Sequence, residues 1–167
     1  MRLPGRRERP PAPALARLDR HERVVSWATT DGGDAVLATP LGLWLPGEER
    51  IGWHLVDKAT WRDGVLTIVA AVDSGGGVLD ELPPRSVRVA VPRDLPQTVR
   101  VRVERTITVT RRYALPGGGV RVVGRRVPGR DGVSWQLVFD PAVDRDDPEV
   151  RAAVAAYVDQ LRGETGF

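Results

Sequence analysis

The chain has 167 residues, 41% of them hydrophobic and 28% charged, with a formal net charge of +3. Eighteen glycines and 14 prolines favour short strands and turns over long helices. The lack of cysteine excludes disulfides, thiolate zinc sites and cysteine nucleophiles, and the longest charge-free run, Ala35–Gly47, falls well short of the about 20 apolar residues a spanning helix needs.

In chain order, residues 1–20 combine arginine with Pro4, Pro10, Pro11 and Pro13 and read as a flexible Arg/Pro-rich arm, with room for a short helix from Ala14 to Arg20. They lack the apolar core of a signal peptide, so a cytoplasmic protein is expected. Arg23–Thr29, Asp34–Pro40 and Leu41–Pro46 read as short strands, parted by Asp31-Gly32-Gly33 and by the Thr39-Pro40 break. Ile51, Trp53 and Leu55 alternate through Arg50–Thr60, which predicts another strand. Arg62-Asp63-Gly64 is a tight hairpin turn leading into Val65–Val72. Ser74–Gly77 reads as a loop and Ser86–Val91 as the last strand of a meander without a sizeable helix.

Residues 93–113 carry two patterns at once. Val99, Val101, Val103, Ile107 and Val109 alternate with polar residues, as in a strand. Asp94 and Pro96 instead suit a helix start, and Leu95, Val99, Val103 and Thr106 share one helical face. Val120–Val127 and Ser134–Asp140 then read as strands joined by Pro128–Gly132. The terminal segment is the clearest helix. Asp147 caps it, Pro148 and Glu149 suit its first turn, and Val150, Ala153, Val154, Tyr157, Val158 and Leu161 form its stripe. Gly163 is its expected stop.

The stretch from Arg23 to Val72 resembles bacterial PH-like (GRAM-type) domains. The residues that carry the likeness are Val36-Leu37-Ala38-Thr39, Leu43-Trp44-Leu45, Ile51–Val56, Trp61 and Asp63–Ile68. More narrowly, the chain resembles a family of uncharacterised PH-like proteins of high-GC bacteria, through Leu95-Pro96, Arg125-Arg126 and Asp146–Glu149. The resemblance implies a helix over Asp94–Arg105 that closes a PH-like barrel. The expected fold is therefore α+β and mainly β: a PH-like antiparallel β-barrel with an added β-ribbon and a C-terminal amphipathic helix. Its parts would be the arm (1–20), a meander with its closing helix (21–105), and a ribbon plus terminal helix packed on the same core (106–167). Phosphoinositide-binding PH domains carry basic residues around the first hairpin loop. Here Thr30–Asp34 is acidic, so phosphoinositide is not an expected ligand.

Charge is segregated along the chain: +4 over 1–20, −4 over 21–99, +8 over 100–130 and −5 over 131–167. The strongest block supplies the candidate binding residues Arg111, Arg112, Arg121, Arg125, Arg126 and Arg130, a set suited to an acidic partner if it converges on one face. The alternative is a solvated face paired with the acidic blocks. Tyr113 alone there offers base stacking. Trp27, Trp44, Trp53, Trp61 and Trp135 suit core packing or the lining of a pocket.

No catalytic set is legible. His54 has only Asp57 near it in sequence as an orienting carboxylate, and Gly132–Gln136 fails the Gly-x-Ser-x-Gly pattern at its last position. The Gly-rich runs lack a following Lys-Ser/Thr. Asp140, Asp144, Asp146, Asp147 and Glu149 fit helix capping better than a metal loop. The expectation is a non-enzymatic protein-interaction or scaffold module without cofactor or metal, its partner a protein or a second copy of the chain. Two alternatives stand beside it: an acidic partner (nucleic acid or an anionic membrane surface) held by the 100–130 strip, and a small-molecule-binding β-barrel.

Overall fold

The structure, a computed structural model, describes residues 8–167, so the first seven residues of the expected arm lie outside it. The rest of the arm packs down. Helix α1 (Ala12–Leu15) buries Ala14 against Ala35, Leu37 and Trp44. Just beyond it, the Arg17 guanidinium donates to the carbonyls of Leu45 (2.6 Å) and Ala35 (2.9 Å). A proline-rich segment docks here because a guanidinium gives a donor to the Ala35 carbonyl and a second one to the Leu45 carbonyl, which also accepts from the Glu48 amide.

Strands β1 (Ser26–Thr30), β2 (Ala35–Ala38), β3 (Gly42–Trp44) and β4 (Ile51–Gly52) form the first antiparallel run. The expected strand over Arg50–Thr60 is interrupted. A 3-10 turn at Trp53–Leu55 separates β4 from β5 (Val56–Arg62). The turn lets the Trp53 indole sink into the core, where its N–H donates to the Thr39 carbonyl at 2.8 Å. Strand β6 (Val65–Gly75) is longer than expected. Its first half lies between β5 and β8 (Arg85–Val91), and its second half pairs with β7 (Val78–Glu81), a strand the sequence pattern hides between glycines and Pro83-Pro84.

The 93–113 ambiguity resolves as helix followed by strand. Helix α2 (Leu95–Thr106) buries Leu95, Val99 and Val103 in the cluster formed by Trp53, Leu66, Ile68 and the β1–β3 residues. One helical stripe thereby covers the mouth of the meander, whereas a strand would leave Leu95 and Val99 without that cover. Asp94 begins the helix with its carboxylate turned to the Ser26 hydroxyl at 2.6 Å. Strands β9 (Ile107–Leu115), β10 (Gly118–Arg125) and β11 (Ser134–Phe139) follow as an antiparallel ribbon.

Helix α3 (Pro148–Thr165) begins as expected, with the Asp147 carboxylate accepting from the Glu149 amide at 2.8 Å. It passes through Gly163 and stops at Gly166, whose φ of 73° provides the left-handed C-cap. Its stripe of Val150, Val154 and Leu161 packs on Val120 and Val122 of the ribbon. The ribbon and α3 thus build their own apolar cluster rather than sharing the meander's core, and the layer between the two is polar.

The mainly β expectation holds. All strands join one sheet in the order β4-β3-β2-β1-β8-β6-β7-β11-β10-β9, with β5 on the other side of β6. Among the described residues the path ends at β4 and β9, so the sheet is open where a barrel was expected. Among the described residues its one parallel step is Val78 of β7 beside Leu137 of β11. There the Gly77 carbonyl accepts from the Leu137 amide at 2.9 Å, and a Cβ on Gly77 would lie 2.4 Å from the Trp135 carbonyl oxygen.

Gly76 and Gly77 both have positive φ, but a Cβ on Gly76 meets open space. Gly77→Ala is expected to cost about 2–4 kcal/mol, strain and overlap together, and Gly76→Ala about 1–2 kcal/mol from strain alone. Urea unfolding of the two variants checks this; equal losses would show that the close approach to β11 contributes nothing.

Candidate functional site

The six candidate arginines do not share one face. Register places Arg112 opposite Arg121 on the side of the ribbon that faces the meander, while Arg111 pairs with Val122 on the α3 side. Arg125, only 2% exposed, lies inside the molecule. Arg126 and Arg130 are exposed in the loop after β10.

Arg125 holds the polar layer together. One Nη donates to the Thr106 hydroxyl (2.8 Å) and toward the Trp53 carbonyl (3.4 Å), the other to the Val56 carbonyl (3.2 Å). Its Nε is buried without a partner. Burial lowers the guanidinium pKa, Asp57 raises it by attraction, and Arg121 lowers it again by repulsion. Beside it, Arg121 pairs with Asp57 at 2.6 Å and reaches Glu81 at 3.6 Å. The hydrogen bond with Asp57, then burial, pushes the Glu81 carboxyl above its ordinary value. Gln136 of β11 completes the layer, donating to the His54 carbonyl at 2.9 Å. This layer is structural chemistry: donors of the ribbon satisfy carbonyls and a carboxylate of the meander.

Arg112 pairs with Asp140, which lowers the Asp140 pKa chiefly through that hydrogen bond and raises that of Arg112. The cations left without a carboxylate partner among the described residues include Arg111, Arg126 and Arg130. Arg111 stands on β9, the terminal strand of the sheet, whose far side pairs with nothing among the described residues. The Gly119 carbonyl turns toward β11, accepting from the Asp140 amide at 2.9 Å. Alternation along the register then turns the backbone groups of Thr110, Arg112 and Ala114 away from β10, leaving an open row of donors and acceptors.

Of the tryptophans, Trp53 and Trp44 are core residues, Trp27 lies under the Arg93 guanidinium at 4.2 Å, and Trp61 is exposed. Trp135 lines a surface cavity and stands 5.9 Å from Arg162. Tyr113 is stacked on Tyr157 with centroids 4.1 Å apart, so its ring is committed within the fold. Among the terminal acids, Asp140 pairs with Arg112, Asp144 accepts from the Asp146 amide, and Asp147 caps α3. Sequence reasoning missed Thr106, Gln136 and Glu81 as partners in the polar layer; only the strand register reveals that Arg125 and Gln136 share a face.

No protein-family model, curated protein or solved structure matches the chain. Among the described residues, no helix is long and apolar enough to cross a membrane.

His54 is partly buried beside the polar layer, with Nδ1 enclosed and unpartnered. Burial first, then Arg125 and Arg130, push its pKa below 6.5. The unfolded chain therefore binds more protons than the folded one just below pH 6.5, and stability falls as pH drops through that window. Between about pH 7.5 and about pH 5.5, the urea midpoint of the wild type is expected to fall further than that of His54→Gln. Identical slopes would remove His54 from the pH response.

Proposed function

We propose that this chain is a cytoplasmic, non-enzymatic interaction module on a PH-like scaffold, and that it binds acidic, extended polypeptide segments along β9. The observation that carries the reading is the open outer edge of β9, with Arg111 and Arg112 on its two faces. Added strands gain affinity from main-chain hydrogen bonds and specificity from alternate side chains. Carboxylates on every second residue of an added strand complement Arg111 on one face, while Arg112 on the other is already paired with Asp140. A second copy of the same edge brings arginine against arginine, which disfavours self-pairing. The PH-like part of the reading is supported by an antiparallel meander whose mouth is covered by α2. A nucleic acid is less well served, because the arginines are divided between faces and Tyr113 is already stacked.

Fluorescence anisotropy with a labelled peptide of alternating Glu and Val tests this. The peptide is expected to bind at low salt, and its Lys-for-Glu counterpart is not. Arg111→Glu is expected to weaken binding about tenfold or more. Thr110→Pro removes one outward amide, spares the β10 ladder, and is expected to abolish binding. Equal binding by both peptides, or by Thr110→Pro and wild type, contradicts strand addition. Stronger binding of mixed-sequence DNA or anionic vesicles than of the peptide contradicts the partner class.

A further inference from the structure

A groove runs between the tip of the β6–β7 hairpin, β11 and one flank of α3. It comprises two adjoining cavities of about 660 and 500 Å³ that share Gly76, Leu137, Val158 and Arg162. Either lies in the range of small-molecule sites. The floor is apolar: Val78, Leu137 and Phe139 from the sheet, Val154 and Val158 from the helix. The hairpin side is bare backbone, because Gly75, Gly76 and Gly77 all take positive φ and carry no side chain to fill the space.

The rim carries cations along its whole length. Arg151 and Arg162 lie on α3 about 16 Å apart along its axis. Arg145 stands at the Arg151 end and Arg130 beside Trp135. Arg145 is held by Asp80 at 2.6 Å, whereas Arg130 and Arg151 have no carboxylate partner among the described residues. Arg162 meets Asp159 at 3.3 Å in an exposed pair one helical turn apart, an interaction too weak to withhold the guanidinium from a ligand. Asp73, Asp146 and Asp159 are spaced along the same rim and oppose a polyanion. His54 borders the groove with its pKa lowered and is neutral at pH 7. An apolar floor, a cationic rim and scattered carboxylates together select one compact negative head on an apolar body.

We propose that this groove binds a small amphipathic anion, a carboxylate or phosphate head on an acyl or aryl body, with Arg162 and Arg130, which line one of the two cavities together, holding the head and Leu137, Phe139 and Val158 the body. The site is separate from the β9 edge and stands independently of the strand-addition reading.

Isothermal titration calorimetry on the full chain tests it, with sodium decanoate, decyl phosphate and decyltrimethylammonium, each below micelle formation. The two anions are expected to bind saturably at one site, and the cation at least about tenfold more weakly. Ala155→Trp fills the groove from an exposed helix position, and Arg162→Ala removes the shared cation; each is expected to reduce anion affinity about tenfold. Thermal unfolding confirms that both variants fold. Arg111→Glu lies outside the groove and is expected to leave decanoate binding unchanged, which separates this proposal from the β9 reading. Tighter binding of decanoate than of decyl phosphate identifies a carboxylate head, and the reverse a phosphate head. Equal affinity for cation and anions, absence of binding, or binding indifferent to both groove variants overturns the proposal.

Discussion

A buried guanidinium lies at the centre of the polar layer that joins the two halves of this molecule. Arg125 has no carboxylate within ion-pair distance among the described residues, yet it is almost fully enclosed. Its charge is stabilised by the Trp53 and Val56 carbonyls, the Thr106 hydroxyl and the longer-range attraction of Asp57. Those carbonyls lie at the 3-10 turn and the start of β5, where the ladder with β6 shifts register; the Trp53 carbonyl accepts from the Val56 amide as well as from Arg125. Leaving a buried acceptor unsatisfied costs about 1–3 kcal/mol. A planar fork reaches several of them from one position, which a lysine cannot do with the same geometry. The ribbon is therefore seated on the meander by polar chemistry, while each half keeps its own apolar cluster.

Much else follows from that seating. It fixes β11 beside the β6–β7 hairpin, where Gly77 approaches the Trp135 carbonyl, and so opens the groove along α3. It also turns β9 to the outside as the last strand of the sheet. The segregated charge blocks meet in space: Arg112 with Asp140, and Arg121 with Asp57. Pairing consumes part of the positive strip and leaves Arg111, Arg126 and Arg130 outward. The strip is thus divided between holding the fold and facing solvent.

The strands flanked by Asp-Gly and Gly-Gly turns were legible because turn chemistry is local, and α3 because its cap and stripe are. Helix α2 was legible only as one of two periodicities. Burial of Leu95, Val99 and Val103 against Trp53 decides between them, and that contact is not a property of the segment alone. The short β7 was hidden because its partner strand and its pairing with Leu137 supply the ordering that its few residues lack. Likewise, Arg125 and Arg126 are neighbours of one type in the sequence, and alternation at the end of β10 buries one and exposes the other. Composition made both of them candidates for a ligand; only the register separates the stitch from the surface.

The most direct test of the stitch is amide hydrogen exchange on Arg125→Met, which keeps an unbranched buried side chain and removes its donors. Protection of the ribbon amides, such as Val123 and Leu137, should fall by about 10–100-fold while Val36 and Leu37 of the meander retain theirs. Unchanged protection throughout, or an even loss across both halves, would contradict the claim that this guanidinium seats one half on the other.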